Sequence, residues 1–237
     1  RLGFFDPPHL NPYANLSPKD INMTYHQELA LLAAQESLTL LENPRHILPL
    51  NPDSVRTIAV VGPNSNRGLV MQGEDCHGDP PFLITPVDAL RSFGKVTAVQ
   101  GCNMSTPDQD GLAKAVVAAK VSDVTVLVVG LDRSTEYEMR DRTSLYLPSV
   151  QEDLIKAVCA SARSSNHPCV VVIISGGAID TTHINSNQNV SAVVWAGYPG
   201  QAGGTAVANL LFGLQEPTGR LSQTWYREEY ITNLSMW

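Results

Sequence analysis

The sequence predicts an α/β protein with a doubly wound, mostly parallel sheet flanked by helices, an α/β sandwich. Short runs of β-branched apolar residues, each ending in a small residue, alternate along the 237 residues with stretches of helical character. This alternation is typical of parallel strands joined by crossover helices. The runs are apolar throughout rather than at every second position, so we expect strands that are buried on both faces.

Five runs predict five strands, and helices are predicted around them. The predicted strands are residues 57–62, 96–101, 124–130, 169–175 and 192–196. The helices predicted after the first strand are residues 86–93, 108–121, 148–163 and 203–212. Before the first strand, Thr24 is expected to cap a helix that runs to about Leu41. Residues 1–22 are rich in proline and asparagine and predict a linker, so the α/β domain is expected over residues 23–237.

Composition and spacing argue against several classes of function. The formal net charge is −7 and no run of lysine and arginine occurs, which argues against a nucleic-acid partner. No stretch reaches the roughly 18 apolar residues that a membrane span needs. Histidines and cysteines lack metal-ligand spacing, so no metal site is expected. The turn after residue 62 lacks the glycine pattern of a nucleotide-binding loop, which makes nucleotide binding a distant alternative.

Cysteines and sequons together predict a secreted or lumenal, N-glycosylated protein. The four cysteines fit either two disulfides or four buried thiols; they are Cys76, Cys102, Cys159 and Cys169. Five sequons favour the secretory pathway and therefore disulfides; they begin at Asn15, Asn22, Asn103, Asn189 and Asn233. We expect a Cys76–Cys102 bond because both cysteines follow neighbouring predicted strands.

The loop after the third predicted strand carries most of the candidate chemistry. Seven charged residues fall within residues 132–142, where the carboxyl ends of parallel strands form a ligand crevice. In an extended loop Glu136 and Glu138 project to the same side. A carboxylate beside another tends to retain its proton, as a general acid must. Asp141 and Arg142 suit positioning and ion pairing, and His77 lies in a polar loop beyond the first predicted strand. The alternative is a solvated charged turn.

Several motifs occur in one order along the chain. They are Arg-Leu-Gly-Phe-Phe-Asp at 1–6, Ala-Val-Val-Gly-Pro-Asn at 59–64, the cluster at 136–142, Ser-Gly-Gly at 175–177, Trp-Ala-Gly-Tyr-Pro-Gly-Gln-Ala-Gly-Gly at 195–204 and Pro-Thr-Gly-Arg-Leu at 217–221. In these motifs the chain resembles glycoside hydrolase family 3, in its β-xylosidase/α-arabinofuranosidase branch. The resemblance covers essentially the whole chain, and the motifs at 195–204 and 136–142 are the most specific.

The resemblance implies a retaining hydrolase of β-linked sugars whose active site lies between two domains. The aspartate nucleophile belongs to a preceding (β/α)₈ barrel, and residues 1–6 resemble the end of that barrel, so the nucleophile is absent from this chain. Glu136 matches the first glutamate of the family's Glu-x-Glu-x-x-Asp-Arg pattern and is the first candidate for acid/base, with Glu138 in reserve. Asp141, Arg142 and His77 are the implied substrate-binding residues. The implied partners are a β-linked sugar and the barrel, with no metal or organic cofactor.

One departure from the family keeps a second interpretation open. The family usually has Gly-Asn-Tyr-x-Gly where this chain has Gly-Glu-Asp-Cys-His-Gly at 73–78. This segment is expected near the crevice, so a non-catalytic glycan-binding or structural relative remains the alternative.

Overall fold

Six short strands form one sheet at the centre of the protein. The computed structural model describes residues 3–73, 76, 78–139 and 141–233. The strands are β1 Thr39–Glu42, β2 Thr57–Val61, β3 Lys95–Val99, β4 Val124–Gly130, β5 Cys169–Ile174 and β6 Ala192–Trp195. Their order across the sheet is β1-β6-β5-β4-β2-β3. Strands β2 to β6 pair in parallel, and β1 pairs antiparallel with β6 at one edge. The predicted doubly wound, mostly parallel sheet is therefore confirmed.

Helices cover both faces of this sheet. They are α1 Thr24–Ser37, α2 Pro86–Leu90, α3 Gln109–Val121, α4 Ser149–Ser164, α5 Thr182–Asn185, α6 Gly203–Leu211 and α7 Glu228–Asn233. Successive residues of a strand point to opposite faces. Val170 and Val172 accordingly pack in the apolar core beneath α1, α2 and α6. Val171 and Ile173 pack in the core beneath α3 and α4. Two buried faces explain why β4 and β5 are apolar at almost every position.

Local signals set the beginnings of two helices. Thr85 and Asp88 form a capping box around Pro86, the first residue of α2. Asp108 accepts the Gly111 N–H at 2.9 Å before α3. The prediction that Thr24 caps the first helix is wrong, because Thr24 is itself the first helical residue and Met23 precedes it without a side-chain cap.

The edges of the sheet differ from the prediction. The first helix ends at Ser37 rather than near Leu41, and residues 39–42 form the edge strand β1 instead. This run has both helical and strand character, and pairing with β6 decides between them. At the opposite edge, β3 exposes Lys95, Thr97 and Ala98, because only β2 pairs with it. Residues 3–23 contain turns and two 3₁₀ helices, Pro8–Leu10 and Pro18–Asp20, before α1 begins. The domain boundary at residue 22 stays a prediction.

The predicted Cys76–Cys102 disulfide is wrong. The structure instead joins Cys159 of α4 to Cys169 of β5, with Cα atoms 5.4 Å apart, and leaves Cys76 and Cys102 as thiols. Both thiols follow neighbouring strands, but their chain segments diverge. Cys102 is buried on the α3/α4 face, whereas the segment that leads to Cys76 passes Tyr198 at the other side of the sheet. Burial and the charge of Asp108 raise the pKa of the Cys102 thiol to about 11.

Within the part of the chain that the structure describes, no helix is long and apolar enough to cross a membrane.

Candidate active site

The candidate site lies at the carboxyl ends of the strands, at the point where successive strands lie on opposite sides of β2. From β2 the chain proceeds to β3 at one side, and then to β4 at the other side of β2. The loops after β2 and β4 therefore separate, and a cleft opens between them, as is usual at such switch points. The cleft has a volume of about 220 Å³ and is lined by residues from the loops after β2, β4 and β6, among them Arg67, Gln72, Asp132, Glu136 and Tyr198.

Asp132 fixes the start of the loop after β4. Its carboxylate accepts the N–H and the hydroxyl of Ser134, at 2.8 and 2.5 Å, and forms an ion pair with Arg67 at 2.9 Å. Its carbonyl accepts the N–H groups of Thr135 and Glu136. Burial works to raise the pKa of Asp132, but the Ser134 hydrogen bonds and the Arg67 charge outweigh it and hold the pKa below its usual value. Asp132 thus stays ionised and ties the loop after β4 to the loop after β2.

Glu136 points back toward the sheet and is held by three donors. Its Oε1 accepts the Gly176 N–H at 2.7 Å and the Tyr198 hydroxyl. Its Oε2 lies 3.3 Å from Nε of Arg142, and only 18% of the Glu136 side chain is exposed. Glu136 therefore joins the loop after β4 to the loops after β5 and β6.

Two glycines make this arrangement possible, because a side chain at either position would overlap the neighbouring groups. A Cβ on Gly176 would lie 2.9 Å from the Tyr198 ring and 3.2 Å from Glu136 Oε1. A Cβ on Gly177 would lie 2.5 Å from Nη2 of Arg142. From the sequence, a tight turn is enough to explain these glycines. The structure shows a second reason, because a larger side chain at either position would collide with the residues of the site.

Arg142 is turned inward, in agreement with an ion-pairing role. Its side chain is 17% exposed and donates from Nη2 to the Ala178 carbonyl at 3.0 Å, besides the contact with Glu136. Its Nη1 is buried without a hydrogen-bond partner among the described residues. Such an arginine depends on Glu136 for compensation of its charge.

Glu138 and Asp141 lie on the outer side of the same loop. Glu138 is exposed, as is the neighbouring Met139, whose side chain is 99% exposed and whose φ is +63°. Asp141 is exposed and lines a second, shallower cleft with Ser134, Thr135 and Arg142. The two predicted glutamates thus share one loop but face different surroundings. His77, the remaining predicted substrate-binding residue, lies outside the described residues.

Sequence reasoning missed three participants in this site. Arg67 follows β2, and Gly176 follows β5, so position beyond a strand end was the available signal for both. Tyr198 lies in the motif at 195–204, and its hydroxyl donates a hydrogen bond to Glu136. Trp195 likewise packs edge-on against Trp225 and donates its ring N–H to Ser175. Three or more His, Cys, Asp or Glu side chains that could together hold a metal ion do not occur among the described residues.

Comparison with known proteins gives consistent matches. Residues 38–235 match the family model of the glycosyl hydrolase family 3 C-terminal domain. The chain is 43% identical over its full length to beta-D-xylosidase 1 of Arabidopsis thaliana, and 39% identical to beta-xylosidase/alpha-L-arabinofuranosidase 1 of Medicago sativa subsp. varia. It spans 30% of the length of each of these relatives.

Solved structures agree with the sequence relatives. The structure of a GH3 exo-beta-xylosidase (XlnD) in complex with a xylobiose aziridine activity-based probe superposes with a TM-score of 0.88 at 34% identity, covering 96% of this chain and 29% of that one. A beta-glucosidase from Listeria innocua in complex with isofagomine gives a TM-score of 0.79 at 26% identity, covering 89% of this chain and 29% of that one.

Proposed function

Because this chain belongs to glycoside hydrolase family 3, as a C-terminal domain of its β-xylosidase-like enzymes, we propose that it supplies the acid/base carboxylate of a retaining β-xylosidase. The aspartate nucleophile would be provided by an N-terminal (β/α)₈ barrel of the longer protein. The chain spans 30% of its relatives' length, which leaves room for such a domain. The observation that carries the proposal is Glu136, which lines the cleft and is held there by contacts from three loops.

Glu136, the first candidate from the sequence, is the acid/base that the geometry supports. A general acid must carry a proton and must reach the leaving-group oxygen. Glu136 lines the cleft at the carboxyl ends of the strands, and Tyr198, Gly176 and Arg142 hold its carboxyl group in one place. Glu138, two residues later, is exposed and stays the reserve candidate.

The proposed mechanism divides the chemistry between two domains. Retaining glycosidases place the two carboxyl groups about 5–5.5 Å apart across the bond that is broken. Glu136 would protonate the leaving oxygen while the barrel aspartate attacks the anomeric carbon. Glu136 would then remove a proton from the water that releases the sugar from the aspartyl intermediate.

Replacement of each glutamate in the longer protein tests the assignment. We expect Glu136→Ala to abolish hydrolysis of natural xylosides, and azide to restore turnover of activated aryl xylosides, because azide attacks the glycosyl-enzyme directly and needs no general base. Glu138→Ala is expected to retain most of the activity and to gain nothing from azide, since the acid/base carboxyl group remains. The measurement is the rate of aryl xyloside turnover with and without azide.

The same experiment separates the alternatives. Azide rescue of Glu138→Ala but not of Glu136→Ala would give the acid/base role to Glu138. If the unaltered longer protein binds xylan fragments but hydrolyses no aryl glycoside, the non-catalytic glycan-binding interpretation is correct instead.

We further propose that the protein passes through the secretory pathway and is N-glycosylated. Asn15 and Asn103 are exposed, as glycosylation requires, and the Cys159–Cys169 disulfide fits an oxidising compartment. Asn22 and Asn189 are partly buried, and the sequon of Asn233 extends outside the described residues. A mass shift on enzymatic deglycosylation of the protein from its natural source is the expected result, and an unchanged mass would contradict the proposal.

A further inference from the structure

We propose that Tyr198 is a positioning residue for the acid/base carboxyl group of Glu136. This inference rests on the proposed function, because that function gives Glu136 the acid/base role. Tyr198 lies three residues after the end of β6, far along the chain from both glutamates.

The contacts place Tyr198 at the junction of three loops. Its hydroxyl donates to Oε1 of Glu136, the same oxygen that accepts the Gly176 N–H. Its ring lies close to two glycines: a Cβ on Gly73 would lie 2.7 Å from the ring, and one on Gly176 would lie 2.9 Å from it. A side chain at either glycine would overlap the ring, so both glycines are needed for this position of Tyr198.

The Tyr198 hydroxyl is the donor in this contact. Burial, and then the hydrogen bond to Glu136 and its charge, raise the pKa of Tyr198 well above its usual value. At neutral pH the phenol therefore carries its proton and can donate a hydrogen bond to Oε1 of Glu136.

Fixing the carboxyl group of Glu136 keeps it where it lines the cleft. Asp132 anchors the start of the loop through Ser134 and Arg67, and the contacts of Glu136 anchor its middle. Without the Tyr198 hydroxyl, only Gly176 and Arg142 would hold Glu136 among the contacts described above. A displacement of about 1 Å in a catalytic group is enough to lower a rate by up to roughly 100-fold.

Tyr198→Phe in the longer protein tests this role, because it removes the hydroxyl and keeps the ring. We expect kcat/KM for xylosides with poor leaving groups to fall by about 10- to 100-fold. For activated aryl xylosides we expect little change, because their departure needs little protonation. A purely structural defect would lower both rates equally. Tyr226→Phe is the matched control, since Tyr226 stacks on Tyr230 away from Glu136, and it should behave like the unaltered protein on all substrates.

A double-mutant cycle with Glu136→Gln shows whether Tyr198 acts through Glu136. If it does, Tyr198→Phe lowers kcat/KM much less in the Glu136→Gln background than in the unaltered protein. Full additivity, or equal loss for good and poor leaving groups, would overturn the inference while hydrolysis by the unaltered protein still supports the proposed function. Absence of hydrolysis by the unaltered protein would instead refute the proposed function and, with it, this inference.

Discussion

The glutamates at positions 136 and 138 have the same side chain but different environments at the end of β4. Glu136 receives hydrogen bonds from a backbone N–H and a tyrosine, together with the charge of Arg142. Glu138 is exposed. Two neighbouring glutamates of one loop therefore have different contacts, and the one held in place is the proposed acid/base.

Asp132 gives a prediction at the residue scale that concerns pH. Its folded-state pKa is lower than that of the unfolded chain, so the ionised carboxylate stabilises the fold above the unfolded pKa of about 3.9. That stabilisation is lost as the pH falls through the lower folded-state pKa. Asp132→Asn, which loses the ion pair with Arg67, should reduce the free energy of unfolding by about 1–3 kcal/mol at pH 7. Urea unfolding at pH 7 and at pH 3 measures the difference, which should shrink at pH 3.

An exposed aspartate provides the control for this prediction. Asp110 pairs with Lys114 on the surface of α3, and its side chain is 77% exposed. Asp110→Asn should change stability by less than about 1 kcal/mol at either pH, because solvent screens such pairs. Equal effects of the two substitutions would show that burial of Asp132 does not matter.

At the scale of elements, the turns after the strands depend on glycines that admit neighbouring backbone. Gly130 ends β4 with φ +140°, and a Cβ there would lie 1.9 Å from the Ile174 carbonyl oxygen of β5. Gly62, after β2, has φ +121° and would place a Cβ 2.1 Å from the Val128 carbonyl oxygen. These glycines let the chain leave the sheet into the site loops while the parallel strands remain in contact.

The disulfide between α4 and β5 gives a prediction at the element scale. It closes a loop of sequence separation 10, so replacement of Cys159 and Cys169 together by alanine should lower the free energy of unfolding by about 2–3 kcal/mol. Cys76→Ala, at an exposed thiol, is the control and should change stability by less than about 0.5 kcal/mol. Denaturant unfolding measures both variants.

Alkylation provides an independent check of the pairing. In the unreduced, denatured chain only Cys76 and Cys102 should react, and in the folded chain Cys76 should react first because Cys102 is buried. Labelling of Cys159 or Cys169 without reductant would contradict the disulfide.

At the scale of the whole molecule, apolar side chains are concentrated in an exposed N-terminal region. In α1 and the segment before it, several large apolar side chains are more than 40% exposed; they are Phe4, Phe5, Leu10, Tyr13, Leu16, Ile21, Met23, Tyr25, Leu29 and Leu32. A concentration of exposed apolar side chains is typical of a contact with another domain or protein. Because the chain spans 30% of the relative's length, we propose that this region contacts the rest of the longer protein.

The division of the active site predicts the behaviour of the chain alone. Residues 1–237 should fold, because two apolar cores enclose the sheet, but should not hydrolyse aryl xylosides without the aspartate of the other domain. Circular dichroism and an aryl xyloside assay, run beside the longer protein, measure the two properties. Hydrolysis by the chain alone would mean that both catalytic carboxylates lie within it.

Much of the architecture could be predicted from the sequence because its signals are local. Strands β2, β4, β5 and β6 are marked by apolar β-branched runs, and their ends were predicted to within a residue or two. The sequence predicts the residues of the edge strand β1 as the end of the first helix, because these four residues alone do not distinguish a helix from a strand. The loop at 132–142 was recognised by its charge density, but the orientation of Glu136 and Glu138 was not.

By itself, the sequence determined the order of the elements, the parallel sheet and the loop that carries the candidate chemistry, since periodicity and composition act over a few neighbouring residues. Only the tertiary structure decided which cysteines pair, and that Tyr198, Gly176 and Arg142 converge on Glu136. Those contacts join residues up to 62 positions apart, and their geometry depends on how the ends of β4, β5 and β6 are placed side by side in the sheet. Such proximity is a property of the packed sheet and leaves no local pattern in the chain.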